Sequence, residues 1–271
     1  MIHLINHKTV FDYEMMPKSV IQRLLLTPKS SAQQQLLEWE IEVDGGEIVL
    51  EASDYHGNTV HLCNHHSGIQ KIQIVCRGQV NVKNTNGIAG THDNSIPLAI
   101  FKNATHLTLP GTRLRQLGKD MNKFMQNGNN GELHTLHELS ARVSDAIKYT
   151  KGKTDISTTA EMAMELGMGV CQDHAHAFIA VARSLGFSAR YVSGYLLMHE
   201  EKVQDAGHAW AEVFTEDLGW VGFDISNGIS PDDRYIKLAS GFDYNDVVTL
   251  SGVRFGSGKE QVATRIMISQ Q

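Results

Sequence analysis

Cysteine and proline are scarce in this sequence of 271 residues, which has 3 Cys and 5 Pro. The cysteines, Cys63, Cys76 and Cys171, are odd in number and have no Cys-x-x-Cys spacing. This pattern argues against a disulfide framework or a zinc ribbon and favours a reducing compartment. So little proline, with 41% apolar and 20% charged residues, excludes a disordered or low-complexity chain. The sequence predicts a globular protein in which one thiol is available for chemistry.

The sequence also lacks an excess of positive charge and a long apolar run. Its 24 basic and 30 acidic side chains give a net charge of -6, which argues against nucleic acid as a partner. No run approaches the roughly 18 apolar residues of a membrane helix, and the first residues do not resemble a secretory leader. We therefore expect a soluble, cytoplasmic protein without a nucleic-acid or membrane partner, and its oligomeric state stays open.

The first hundred residues have the pattern of β-strands. In one segment, apolar residues alternate with acidic ones, and this period of two places the apolar side chains on one face of a half-buried strand. The apolar residues are Leu37, Trp39, Ile41 and Val43. Turn signals follow at Asp44-Gly45-Gly46 and His56-Gly57-Asn58. We predict an antiparallel, sandwich-like β domain over residues 1–105.

After about residue 105 the apolar period changes to three and four residues. The stretch from Leu133 to Ile147 predicts an amphipathic helix. Thr158 and Glu161 have capping-box spacing for a short helix that Gly167 would end. A helix over Cys171–Leu185 is predicted to stop at Gly186. Alternating strand patterns then continue to Ile268, so residues 106–271 are predicted to form an α+β domain.

Cys171 is the cysteine whose position favours chemistry. It follows Gly167-Met168-Gly169-Val170 and opens the predicted helix. Unpaired backbone N–H groups and the positive end of the helix dipole stabilise a thiolate at such a place. Alone, Cys171 would more often be a small core residue, so the prediction depends on finding a base nearby.

His208 and Asp224 are the base and its partner. Gly207–Phe214 alternates as a strand, and a short turn separates it from a second strand over Gly219–Asp224, which predicts a hairpin. If Phe214 pairs near Leu218, His208 lies opposite Asp224, and a slip by two makes them diagonal neighbours that still touch. The carboxylate can then fix the imidazole tautomer, as in a catalytic triad.

Three segments around these residues resemble the bacterial transglutaminase-like superfamily. They are Gly169–His176, Asp205–Val213 and Gly219–Asp224. The resemblance implies a papain-like α+β core, in which the Cys171 helix packs on an antiparallel sheet carrying His208 and Asp224, preceded by a β domain. Asp224 is followed here by Ile225-Ser226, where the family often has Pro and Thr, which leaves the shape of this turn open.

These residues predict a thiol enzyme that acts on amide bonds. Cys171 would attack a peptide or amide carbonyl, His208 would protonate the leaving amine, and Asp224 would orient His208. Water as acceptor of the thioester gives a cysteine protease or amidase, which we favour. A lysine amine gives a transglutaminase. The same residues are also compatible with a peptide-binding module of little turnover and with an acyltransferase that uses coenzyme A.

Substrate contacts, metals and cofactors are less clearly marked in the sequence. Trp210 and Gln172 are predicted to contact substrate, although an aromatic strand residue such as Trp210 is more often part of the core. The Cys171 N–H and Gln172 are candidates for stabilising the oxyanion. His174 and His176 point about 200° apart on a helix, so we expect them to form hydrogen bonds, not to chelate a metal. We expect no metal or cofactor. The histidines of the β domain are expected to be solvated, and they are His56, His61, His65 and His66.

Overall fold

The computed structural model describes residues 1–93, 96–127, 131–198 and 203–270. Within these ranges the chain has the predicted α+β class, with mostly antiparallel sheets and helices concentrated in the middle of the sequence. The strands are β1 (Ile2–Tyr13), β2 (Ser19–Thr27), β3 (Gln34–Asp44), β4 (Gly46–Ser53), β5 (Thr59–His65), β6 (Lys71–Val82), β7 (Ile88–Gly90), β8 (Lys148–Tyr149), β9 (Met168–Gly169), β10 (Ala189–Leu196), β11 (Val203–Gln204), β12 (His208–Thr215), β13 (Gly219–Phe223), β14 (Tyr235–Gly241), β15 (Leu250–Phe255) and β16 (Glu260–Gln270). The α-helices are α1 (Thr112–Asn127), α2 (Glu132–Ala146), α3 (Ala160–Leu166), α4 (Cys171–Ser184) and α5 (Tyr244–Val247), and a 3₁₀ helix spans Leu98–Lys102.

Two sheets form the sandwich-like β unit. One has the strand order β11-β16-β1-β6-β3, and the other has the order β15-β2-β5-β4. Burial alternates along β1 because every second side chain points inward. Inward residues of both sheets, such as Leu24 and Ile74, belong to one apolar cluster, so the sheets pack over a shared core.

The C-terminal end of the chain returns to these two sheets. β16 pairs with β1 from His3 opposite Gln270 to Tyr13 opposite Glu260, and β15 pairs with β2. In the other direction, β7 pairs with β13 in the sheet of the second unit. Sheet membership therefore crosses the predicted division between residues 1–105 and 106–271. That division stays a prediction about which parts fold as units.

α4 is the central helix of the second unit. It packs on β10 and β12 of the sheet β14-β10-β12-β13-β7 and is surrounded by α1, α2 and α3, so it is buried on all sides. The buried Arg183 guanidinium donates to the carbonyls of Phe101, Ala189 and Phe242, which fixes the C-terminal end of the helix. Gly186 adopts φ 93 just beyond this end, at the predicted stop.

In the described parts of the chain, no helix combines the length and apolar character needed to span a membrane.

The predicted cap of α3 is one residue off. Thr159, and not Thr158, is the N-cap and accepts a hydrogen bond from the backbone of the first turn. Glu161 does not close a capping box, because its carboxylate accepts three backbone N–H groups at the start of α1 and joins the two helices. Gly167 ends α3 with φ 65, as predicted.

β3 contains a bulge that the strict alternation did not predict. The pairing of β3 with β6 shifts between Leu36 and Glu38, which turns Leu37 outward to 46% exposure. Beyond the bulge, Trp39, Ile41 and Val43 are half-buried on one face, as predicted. The prediction for Leu37 is wrong because one extra residue reverses the face that a side chain occupies.

The histidines of the β unit are mostly buried, which corrects the expectation that they are solvated. His61 and His65 are 6% and 4% exposed, and the His56 side chain is 3% exposed. His56 Nε2 lies 3.2 Å from the Asp246 carboxylate, so it links the β4–β5 turn to α5. Only His66 is exposed among these four residues.

Candidate active site

Cys171 is the first residue of α4, and local contacts fix the start of this helix. The Asp173 carboxylate accepts the Val170 N–H at 2.7 Å and the Thr154 hydroxyl at 2.7 Å. A Cβ at Gly169 would lie 2.6 Å from Cβ of Asp173, so this close turn requires glycine. Cys171 is thereby held at the N-terminal end of a helix, where the backbone N–H groups of the first turn point outward.

His208 and Asp224 are brought together by the hairpin of β12 and β13, in the second of the two predicted registers. Phe214 pairs with Trp220, and not near Leu218, so the predicted direct pairing of His208 with Asp224 is wrong. Continuing the observed register places Trp210 opposite Asp224, and His208 is the diagonal neighbour. His208 Nε2 nevertheless lies 2.6 Å from Asp224 Oδ2, because diagonal side chains on one face remain within reach.

The Asp224 carboxylate is completely buried and fully hydrogen-bonded. Oδ2 accepts His208 Nε2 at 2.6 Å, the Asn227 amide at 2.7 Å and the Tyr235 hydroxyl at 2.7 Å. Oδ1 accepts the Ser226 hydroxyl at 2.7 Å and the Asn227 N–H at 3.2 Å. The turn after Asp224, where the sequence lacks the family's proline, is thus held by polar side chains that converge on the carboxylate.

His208 links this carboxylate to the thiol of Cys171. His208 and Cys171 line the same cavity, and Cys171 is one of the groups that raise the pKa of His208. Since Nε2 of His208 is used by Asp224, Nδ1 is the ring nitrogen available to sulfur. Burial lowers the pKa of His208, but the hydrogen bonds and negative charges of Asp224 and Cys171 outweigh it and raise the pKa to about 10. Burial raises the pKa of Asp224, and the His208 contact outweighs it and lowers the pKa to about 2.

A cavity of about 330 Å³ opens beside Cys171 and His208. Gln172 also lines it. Trp210 does not line it in the described parts of the chain: it is 2% exposed and packs with Tyr235, and its ring stacks at 6.3 Å from that of His208. Trp210 therefore lies where it supports the imidazole, and the predicted substrate contact has no counterpart in the cavity wall.

Several residues of the site carried no recognised signal in the sequence. Tyr235 reaches Asp224 from β14, and His7 lines the cavity from β1. Ser226 and Asn227 could have been found, because Ser and Asn shortly after an Asp are typical of turns closed by side-chain hydrogen bonds. Tyr235 and His7 could not, since only long-range packing brings them to the site.

His174 and His176 form hydrogen bonds within the core. The two ring nitrogens of His174 lie 2.9 Å from the Val170 carbonyl and 2.7 Å from the Ile147 carbonyl. His176 Nε2 accepts the Tyr244 N–H at 3.2 Å. Among the residues that the structure describes, no group of three or more His, Cys, Asp or Glu side chains is placed to hold a metal ion.

The sequence matches two family models in separate segments. Residues 119–225 match the model described as "Transglutaminase-like superfamily", a range that includes Cys171, His208 and Asp224. Residues 4–81 match the model described as "Bacterial transglutaminase-like N-terminal region". The two matches occur in the same order as the β unit and the helix-containing unit of the structure.

Several other proteins are similar to this chain over nearly its whole length. An uncharacterized protein of Mycobacterium tuberculosis (strain ATCC 25618 / H37Rv) is 28% identical over 286 residues, covering 95% of this chain and 89% of the relative. One of Mycobacterium leprae (strain TN) is 26% identical over 280 residues, covering 97% of each. The crystal structure of "a Putative Cysteine Protease from Cytophaga hutchinsonii" superposes with a TM-score of 0.77 at 18% identity, covering 99% of this chain and 90% of that one. Such a superposition shows that the fold is shared.

Proposed function

Because the chain belongs to the transglutaminase-like superfamily, we propose that it is a thiol enzyme acting on amide bonds, a cysteine protease or amidase with Cys171, His208 and Asp224 as its triad. The observation that carries the proposal is that His208, hydrogen-bonded to the buried Asp224 carboxylate, lines the same cavity as Cys171. A base beside a thiol, oriented in turn by a carboxylate, is the arrangement that nucleophilic catalysis requires.

The proposed reaction proceeds in two steps. The thiolate of Cys171 attacks the amide carbonyl carbon and forms a C–S bond, and the carbonyl oxygen becomes an oxyanion. The imidazolium of His208 gives its proton to the amide nitrogen, the C–N bond breaks, and an amine leaves behind a thioester. Water then gives a proton to His208 as its oxygen attacks the thioester, which releases the carboxylic acid and restores the thiolate.

Backbone N–H groups at the start of α4 are suited to stabilise the oxyanion. The N–H groups of Cys171 and Gln172 belong to the first turn, which has no intrahelical partners for them, and both residues line the cavity. Such donors are fixed before the reaction begins and therefore lower the barrier without having to reorganise.

An amine that reacts with the thioester in place of water would make the same site a transglutaminase. Assays with and without added primary amine separate the two reactions.

Selective alkylation tests the proposal directly. We expect iodoacetamide to modify Cys171 well below the pH at which it modifies Cys63 or Cys76. The latter two thiols are completely buried, and burial raises their pKa to about 11 and about 12. Peptide mapping by mass spectrometry after a timed reaction identifies the modified residue.

A charge-removing variant makes this test specific. Asp224→Asn should slow alkylation of Cys171, because an imidazole without its carboxylate stabilises the thiolate less. Asp217→Asn is the matched control, since Asp217 is exposed in the β12–β13 turn and leaves the His208–Asp224 contact intact. Equal reactivity of all three cysteines would contradict the proposal and favour a peptide-binding module.

The pH profile provides a second test. The pKa of His208 is raised from 6.5 to about 10, so its proton for the leaving amine is present at neutral pH and is lost as pH rises through about 10. We therefore expect kcat/KM to fall on that alkaline side. The contribution of His208 to stability has the same sign: it is complete below pH 6.5 and is lost as pH rises toward about 10.

Asp224→Asn should move the alkaline limit of kcat/KM and the alkaline limit of stability to lower pH, since it removes a charge that raises the pKa of His208. Kinetics and thermal unfolding across the neutral and alkaline range measure the two limits. An alkaline limit that is unchanged in Asp224→Asn would contradict the assignment of His208 as the acid.

We further propose that the enzyme works in the cytoplasm. Cys63, Cys76 and Cys171 are all free thiols, as is usual in a reducing compartment. Fractionation of the source cells, followed by immunodetection, tests this location, and recovery outside the cytoplasm would contradict it.

A further inference from the structure

The β unit supplies one wall of the cavity that contains the proposed nucleophile. His7 of β1 and Thr264 and Ile266 of β16 face the same cavity as Cys171 and His208. β1 and β16 are adjacent strands, with His7 paired to Ile266. Residues of both units thus line the cavity that contains the proposed nucleophile.

Four side chains in or behind this wall form a continuous hydrogen-bonded series. The Tyr195 hydroxyl lies 2.7 Å from His7 Nδ1, and His7 Nε2 lies 3.2 Å from the Thr9 hydroxyl. The Thr9 hydroxyl in turn lies 3.2 Å from that of Thr264. His7, Thr9 and Tyr195 are 4%, 1% and 1% exposed, so the series is anchored inside the protein.

The series has one proton more than its internal contacts use. Burial lowers the pKa of His7 to about 4, so at neutral pH its ring carries a single N–H. That N–H and the three hydroxyls together supply four protons for three contacts. When the hydrogen bonds all run in one direction, the remaining hydroxyl proton is at Thr264, and in the other direction it is at Tyr195.

The residues at the two ends of the series face the cavity, and each can donate or accept a hydrogen bond there. Tyr195 and Thr264 line it, and whichever of them does not donate the spare proton retains lone pairs that accept. Exchange of the His7 tautomer reverses the direction. The wall can match a ligand group that donates, accepts or does both.

The four residues of the series are uncharged at neutral pH, because burial lowers the pKa of His7 to about 4 and raises that of Tyr195, and this disfavours a charged group against them. Elsewhere in the lining, Leu238, Val247 and Leu250 contribute apolar surface, and Asp205 contributes a carboxylate. A charged ligand group would lose its water here without gaining an opposite charge from His7 or the hydroxyls. The volume of about 330 Å³ lies at the small end of ligand pockets, which suits a single side chain.

We propose that His7, Thr9, Thr264 and Tyr195 form a specificity wall, which selects substrates with an uncharged hydrogen-bonding side chain, a hydroxyl or an amide, next to the bond that Cys171 attacks. This inference rests on the proposed function. It gives the β unit a role in substrate selection, with the polar group held by neutral donors and acceptors. Tyr195 and the three others are positioning and specificity residues, and they take no part in the bond-making steps.

A peptide-binding experiment tests the wall independently of turnover. A pooled peptide library is incubated with full-length Cys171→Ala protein, and the retained peptides are identified by mass spectrometry. We expect enrichment of Ser, Thr, Asn and Gln at one peptide position over acidic, basic and apolar residues. Adding Thr264→Val or Tyr195→Phe should lower this enrichment relative to apolar residues by up to about tenfold, the effect of one lost hydrogen bond.

Thr135→Val is the matched control, because Thr135 is a buried threonine of α2 away from the cavity. The control should keep the enrichment of the parent. Tyr195→Phe provides a second variant if Thr264→Val does not fold. Unchanged enrichment in both wall variants, preference for a charged residue, or retention of no peptide would each overturn the wall.

Turnover of the same library by protein with Cys171 intact separates the two proposals. Selective retention that depends on the wall, without cleavage or amine transfer by the intact protein, would overturn the proposed function and support the wall. Turnover whose residue preference is unaffected by both wall variants would support the function and overturn the wall.

Discussion

Replacing Cys171 with alanine is expected to abolish turnover, with a loss of about 10⁴-fold or more in kcat/KM. The variant removes the sulfur that forms the thioester, and neither His208 nor the first turn of α4 can replace it as a nucleophile. The fold should persist, because Cys171 is only partly buried and Asp173 and Thr154 hold the helix start. Kinetics with a substrate identified from the peptide library, together with thermal unfolding, measure both outcomes.

Cys63→Ala is the matched control for this experiment. Cys63 lies in the core of the β unit and is not one of the described residues that line the cavity, so its loss should leave kcat unchanged while costing a modest amount of stability. If correctly folded Cys171→Ala protein retained activity, Cys171 would not be the nucleophile, and the proposed mechanism would be wrong.

Replacing Asp224 with alanine is expected to reduce both activity and stability. The carboxylate is the acceptor for His208, Asn227 and Tyr235, and its removal leaves buried donors without a partner. We expect a loss of about 3 kcal/mol or more in the free energy of unfolding, as is typical when one member of a buried pair is deleted. The rate should fall by roughly 10²- to 10⁴-fold, because His208 loses its orientation.

Asp224→Asn separates the two effects. The amide keeps most of the volume and one acceptor oxygen, so stability should fall less than in Asp224→Ala, while the missing charge still lowers the rate. Asp232→Ala is the control for an acid in the same region: Asp232 pairs with Arg234 at a partly exposed position, so its loss should cost under about 1 kcal/mol. Activity of Asp224→Ala close to that of the parent would contradict the role of the carboxylate.

Much of the local structure could be predicted because it depends on short-range patterns. The alternation of Ile41 and Val43 with acidic residues defines an inward face, and the glycines at 167 and 186 mark helix ends because they adopt positive φ. The Gly-rich turn before Cys171 indicated a helix start at this residue, and the turn requires glycine at 169 because a Cβ there would lie 2.6 Å from that of Asp173. Each of these features is decided within a few residues of chain.

The hairpin register shows where this reasoning stops. A period of two is unchanged by a slip of two residues, so alternation alone cannot choose between the two registers considered. The choice is made by the turn: Gly219 takes φ 74 and pairs with Thr215 across three intervening residues. A loop of this length commonly ends in a residue of left-handed conformation, so the glycine is the signal that fixes the register.

The sequence by itself determined the α+β class, the helix that starts at Cys171 and the hairpin that joins His208 to Asp224. Only the tertiary structure decided that β16 lies beside β1, that Tyr235 supports Asp224, and that the β unit lines the cavity. Helix ends and strand faces are set by steric and solvation preferences of neighbouring residues. The contact of Thr9 with Thr264 joins residues 255 positions apart, and no local preference specifies it: it forms because burying the faces of both strands outweighs the entropy of closing the chain between them.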